Sequence, residues 1–156
     1  WRRVVPSPRP KALVEADEVG QLVAAGTIVI AAGGGGTPVY RHQSLGLEGI
    51  DAVIDKDHAA DVLARSMGAQ LLLILTDVDG VYRNYSDPEG RELIRVLRAE
   101  EADTMLAAGE FGMGSMGPKV EAAVSFVRGG GKRACIARLD HGLEAVEGSA
   151  GTSIVR

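Results

Sequence analysis

The sequence predicts an α/β fold: a mainly parallel sheet with helices on both faces. Residues 71–75 (Leu-Leu-Leu-Ile-Leu) form an unbroken apolar run between Gly68 and the polar turn Thr76-Asp77-Val78-Asp79-Gly80. That is how a strand buried on both faces reads, as in a parallel sheet covered by helices. A helical segment, an apolar run and a Gly-rich turn follow one another over residues 15–38, the parts of an α/β unit. A Pro-started helix over 118–127 then leads through Gly129, Gly130 and Gly131 to a further apolar run at 134–137.

The totals fit one domain. At 156 residues the chain is long enough to bury a real core, and a hydrophobic fraction of 46% with only two Phe and one Trp makes that core aliphatic. A net charge of -4 gives no basic field for nucleic acid. Cys135 has no second cysteine to pair with, which suits a reducing cytosol. No apolar stretch reaches the roughly 18 residues of a membrane span, so a soluble, cytoplasmic protein is expected. The opening Trp1-Arg2-Arg3-Val4-Val5-Pro6-Ser7-Pro8 reads as a connector from the middle of a longer polypeptide, and the expectation is a fragment.

Taken in order, residues 15–25 carry Val19, Leu22 and Val23 on one side and Glu15, Asp17 and Glu18 in the first turns, a short amphipathic helix stopped by Gly26. Residues 27–32 (Thr-Ile-Val-Ile-Ala-Ala) read as a buried strand, followed by the turn Gly33-Gly34-Gly35-Gly36-Thr37-Pro38. Residues 39–49 are weakly patterned, a loop with room for one short strand. Ala59, Ala60, Val62, Leu63 and Met67 make a helical face closed by Gly68, with Asp55 or Asp57 as its N-cap. Beyond the central run come a turn-rich segment at 84–91, a strand at 93–97, a helix at 100–108, the helix at 118–127, a helical turn at 143–146 and a last strand at 152–155.

Chemistry concentrates at the ends of these elements. In open α/β sheets ligands bind outside the carboxyl ends of the strands, where loops and helix N-termini meet anions. That directs attention to Asp77, Val78, Asp79 and Tyr82 after the central run. Residues 112–117 (Gly-Met-Gly-Ser-Met-Gly) match G-x-G-x-x-G, but a helix rather than a strand precedes them, so a dinucleotide site does not follow. A Walker A loop is excluded too, since Pro118 separates Gly117 from Lys119 and Val120 stands where Ser or Thr is needed. What remains is a Gly/Ser loop entering a helix with Lys119 in its first turn. A cation there opposes the helix dipole unless an anion offsets it, and a bound phosphate would do so. Lys56, between Asp55 and Asp57, repeats the arrangement at a second helix start. Gly33, Gly34, Gly35 and Gly36 can approach a ligand backbone-first. His42, His58 and His141 share no metal-ligand spacing with one another or with Cys135, so no protein-held metal is expected.

The chain resembles the second half of the carbamate kinases, a branch of the amino acid kinase family. The stretches that carry the resemblance are the opening connector, residues 28–39 with their Gly run, Val53-Ile54-Asp55-Lys56-Asp57, residues 75–82, and Gly114-Ser115-Met116-Gly117-Pro118-Lys119-Val120-Glu121-Ala122-Ala123. The resemblance implies reversible transfer of the γ-phosphoryl of ATP to carbamate, giving carbamoyl phosphate and ADP. It further implies Lys56 and Lys119 as the cations on the phosphates, Asp57 holding them, and Mg²⁺ bridging the phosphates. Asp77, Val78, Asp79 and Tyr82 would line the nucleotide, with Ser115, Met116 and Gly117 on its other side, and the Gly33 to Gly36 loop would meet substrate or phosphate. A homodimer is implied for the longer protein, and an N-terminal half that this chain lacks would leave it weak or inert alone. Thr76-Asp77-Val78-Asp79-Gly80 looks closer to the uridylate, aspartate and acetylglutamate kinases. Those acceptors, and a nucleotide-binding module without catalysis, stay open as alternatives.

Overall fold

A computed structural model describes residue 1, residues 4–111 and residues 116–156. Its centre is a four-stranded sheet in the order β3 (Leu71–Thr76), β7 (Arg133–Arg138), β8 (Thr152–Val155), β6 (Val96–Arg98). β3 pairs with β7 in parallel, β8 with β6 in parallel, and β7 with β8 antiparallel. The sheet is therefore mostly parallel, as the apolar runs required, with one antiparallel seam at its middle.

Helices cover both faces. Leu72 and Ile74 of β3 enter the main core with Val120, Ala123, Phe126 and Val127 of α4 (Met116–Arg128). Leu71 and Leu73 point the other way, against Cys135, Ala137 and Ala145, the last from α5 (Gly142–Glu147). Alternation along one apolar strand thus serves two layers. The core is aliphatic as composition requires, apart from Phe126, which is fully buried; truncating such a ring costs about 3–5 kcal/mol. α2 (Lys56–Ser66) packs on α4, and α3 (Ala99–Ala107) closes the same layer through Ala102 and Met105.

Three segments differ from expectation. Residues 27–32 form no strand; Ile28 and Ile30 are 95% and 98% exposed. An extended segment becomes a strand only by pairing, and nothing among the described residues pairs with this one. The preceding α1 (Ala16–Ala24) buries none of its residues, and Leu22 and Val23 of its apolar stripe are about half exposed. Residues 39–49 hold a complete antiparallel hairpin, β1 (Val39–His42) with β2 (Gly46–Gly49). Its turn is fixed by His42, whose Nδ1 accepts from the Ser44 and Leu45 amides at 3.2 and 3.3 Å. The strand expected at 93–97 is split into β5 (Glu92–Leu93), which pairs with β4 (Tyr82–Arg83), and β6 in the main sheet. No helix among the described residues is long and apolar enough to cross a membrane.

Candidate functional site

The site begins at the N-terminus of α2. Asp55, in extended conformation, caps the helix: its carboxylate accepts from the amides of Asp57 and His58 at 2.9 and 3.1 Å. Capping thus occupies Asp55 and leaves Asp57 to turn inward, where it is 6% exposed. Asp57 Oδ2 accepts from Lys119 Nζ at 3.0 Å and lies 3.5 Å from Lys56 Nζ.

The two lysines differ in kind. The Lys119 side chain is buried, whereas that of Lys56 is more than half exposed. The dipole of α4 called for an anion near Lys119, and among the described residues that anion is the Asp57 carboxylate. Lys119 thus has a counter-ion within the chain, where the sequence pointed only to a bound phosphate. Two ammonium groups share the Asp57 carboxylate, and the exposed one is that of Lys56. That is a competent arrangement for receiving phosphate.

A second polar contact lies one helical turn on. Asp61 accepts from Ser125 Oγ of α4 at 2.7 Å and from Arg65 Nε at 2.8 Å. Sequence reading missed Asp61 and Ser125, although Asp57 and Asp61 stand four apart on the face that Ala60 and Ala64 turn to the core. Acids on an apolar helical face were the available signal. His58 lies alongside, with Nδ1 3.6 Å from Asp55 and Nε2 3.4 Å from Glu121, which also binds Arg9.

The glycine loop reaches the same place through its backbone. Gly33, Gly34 and Gly36 are exposed, while Gly35 is buried at φ +133°. A Cβ on Gly35 would lie 2.1 Å from the carbonyl oxygen of Ile54, the residue before the Asp55 cap. Only glycine permits that approach, so the loop is seated against the start of α2.

The turn after β3 is held by other contacts. Thr76 donates to Asp77, the Tyr82 hydroxyl donates to Asp79 at 3.1 Å, and Arg138 at the end of β7 lies 3.4 Å from Asp79. Burial first, and then the Asp79 carboxylate, push the Tyr82 phenol above its ordinary pKa. Asp77 and Asp79 are exposed and Val78 is half-buried. Among the described residues no hydrogen bond or ion pair joins this turn to the lysines. Ser115, with Gly112, Met113 and Gly114, lies outside the described residues. Met116 packs against the main core, and Gly117 lies inside α4 with open space where a Cβ would go. Pro118 is accordingly the third residue of α4 rather than its first.

The model of the amino acid kinase family matches residues 2–138. The chain is 53% identical over 155 residues to carbamate kinase of Halobacterium salinarum, covering 99% of this chain and 50% of that protein. It is 51% identical over 156 residues to carbamate kinase of Thermococcus kodakarensis, covering 100% and 49%. Among solved structures, carbamate kinase from Giardia lamblia bound to AMP-PNP superposes with a TM-score of 0.93 at 39% identity, over 99% of this chain and 48% of that one. The chain spans about half the length of the curated relatives it matches.

Proposed function

Because the chain belongs to the amino acid kinase family, we propose that it is the nucleotide-binding part of a carbamate kinase, moving a phosphoryl group reversibly between ATP and carbamate. The observation that carries this reading is the Asp57 carboxylate, shared between buried Lys119 and exposed Lys56. In phosphoryl transfer the protein does little covalent work; it places the reactants in line and offsets charge on the transferring oxygens.

Each residue has a part that follows from its environment. Lys119 is buried and held by Asp57, so its charge acts as a fixed, preorganised one at the reaction centre. Lys56 has an exposed stem and can follow the phosphate. Asp57 orients both ammonium groups. Gly33, Gly34, Gly35 and Gly36 form the loop that meets substrate or phosphate, although the Gly33 and Gly35 amides already donate to the carbonyls of Ala31 and Ala32, and Asp77, Val78, Asp79 and Tyr82 receive the nucleotide, together with Ser115, Met116 and Gly117. Mg²⁺ enters as part of MgATP or MgADP. Mg²⁺ held on substrate phosphates keeps several waters and needs few protein ligands.

The partners are small molecules: carbamate or carbamoyl phosphate, and ATP or ADP. A homodimeric, cytoplasmic protein about twice this length goes with the reading. The test is ATP formation from MgADP and carbamoyl phosphate, run on the product of the complete reading frame and on the 156-residue chain. Activity is expected in the longer product, with little or none in the shorter. ADP binding without turnover in the longer product would replace the reading with another acceptor or a binding module.

A further inference from the structure

Thr152 opens β8, 71 residues beyond Val81, yet its fully buried hydroxyl meets the turn after β3. Its Oγ1 accepts the amide of Val81 at 2.8 Å and donates to the carbonyl of Ile94 at 2.5 Å. The amide of Ile94 in turn donates to the Val81 carbonyl at 2.9 Å. Gly80 lies on the same group: a Cβ there would stand 2.6 Å from Thr152 Oγ1 and 3.0 Å from its nitrogen. The stretch that carries Asp77, Val78, Asp79 and Tyr82 is therefore fastened at Gly80 and Val81, with Asp79 just before that point and Tyr82 just after it.

We infer that Thr152 is the positioning residue of the nucleotide turn, setting the height at which Asp79 and Tyr82 meet the ligand. The hydroxyl gives its one proton to Ile94 and takes one from Val81, so it acts on the ligand only through the turn. Replacing it with a methyl group would leave a buried amide and a buried carbonyl without this partner, and the turn would shift to re-satisfy them. The inference rests on the nucleotide reading of that turn. A displaced turn loses binding common to ground and transition states, so the loss falls on KM rather than kcat.

The experiment compares wild type, Thr152→Val and Thr152→Ser in the product of the complete reading frame, by calorimetric MgADP binding, steady-state kinetics and melting temperature. Thr152→Val is expected to weaken MgADP binding about tenfold and raise its KM in step, by the size of one lost buried hydrogen bond. Its kcat should hold within about threefold, and Thr152→Ser should restore binding to within about twofold, since ground-state binding alone is at stake. Equal MgADP affinity in all three, with only the melting temperature of Thr152→Val lowered, would make Thr152 merely structural and overturn the inference. Absence of MgADP binding in wild type would overturn the nucleotide reading and this inference with it. Should Thr152→Val not fold, Gly80→Ala disturbs the same contact from the side of the turn. Weakened MgADP binding there supports the inference, and unchanged binding overturns it.

Discussion

Lys119 donates to Asp57 at 3.0 Å across the contact between α4 and α2, and the side chains of both are more than nine-tenths buried. Removing one partner of such a pair strands the other charge in a poorly solvating interior, whereas removing both with apolar groups of similar size does not. Lys119→Ala is therefore expected to cost about 3–5 kcal/mol of stability as well as activity. Lys119→Met with Asp57→Leu should recover most of that stability and none of the activity. Urea unfolding alongside the ATP-forming assay checks both halves. Additive stability losses in the double variant would show that the pair is not coupled.

Lys56 should behave differently, because its side chain is 57% exposed. Lys56→Ala is expected to change stability by no more than about 1 kcal/mol. If the exposed lysine meets the phosphate, turnover should fall by about 100-fold or more, the scale of one lost charge stabiliser. A turnover within twofold of wild type would remove Lys56 from the mechanism.

Within the glycine run the positions are not equivalent. Gly35→Ala drives a Cβ into the Ile54 carbonyl from a backbone conformation that L-residues avoid, and should destabilise by about 1–3 kcal/mol or more. Gly34→Ala meets nothing within 4 Å and should leave the melting temperature unchanged. Equal melting temperatures for the two variants would contradict the seating of the loop under Ile54.

Ile28 and Ile30, nearly fully exposed in an unpaired extended segment, make the isolated chain prone to edge-to-edge association. Sedimentation velocity on the 156-residue polypeptide should show concentration-dependent association, reduced by Ile28→Ser with Ile30→Ser. A monodisperse monomer that the substitutions do not change would refute this.

Cys135 lies fully buried in β7, and burial pushes its thiol above the usual pKa. A low thiolate fraction and no access make it inert to thiol reagents in the folded protein. Labelling should therefore track unfolding in urea. Rapid labelling in native buffer would place the β7 environment in doubt.

What could be read from the sequence was what repeats locally. The apolar runs at 71–75 and 134–137 carry their cause within a few neighbouring residues and are found where they were expected, and of the two cap candidates Asp55 and Asp57 the structure uses Asp55. The segment at 27–32 has the same local cause but no partner among the described residues, so propensity alone did not make it a strand. The burial of Lys119, the Asp61–Ser125 contact and the Thr152 junction join residues 58 to 71 positions apart. Such pairings leave no periodicity, only single polar residues on faces that should be apolar. Lys119 and Asp57 were singled out through helix starts and resemblance; that one of them neutralises the other was visible only in three dimensions.

The two polar contacts between α2 and α4, Asp57 with Lys119 and Asp61 with Ser125, lie one turn apart along the same pair of helices. Two fastenings resist rotation as well as sliding, which a single one would not. A slip of either helix would break both contacts together and expose buried charge, a cost that ties the two helices to one another. On the proposed reading, Lys56 and Lys119 would then keep a common frame while a nucleotide enters or leaves.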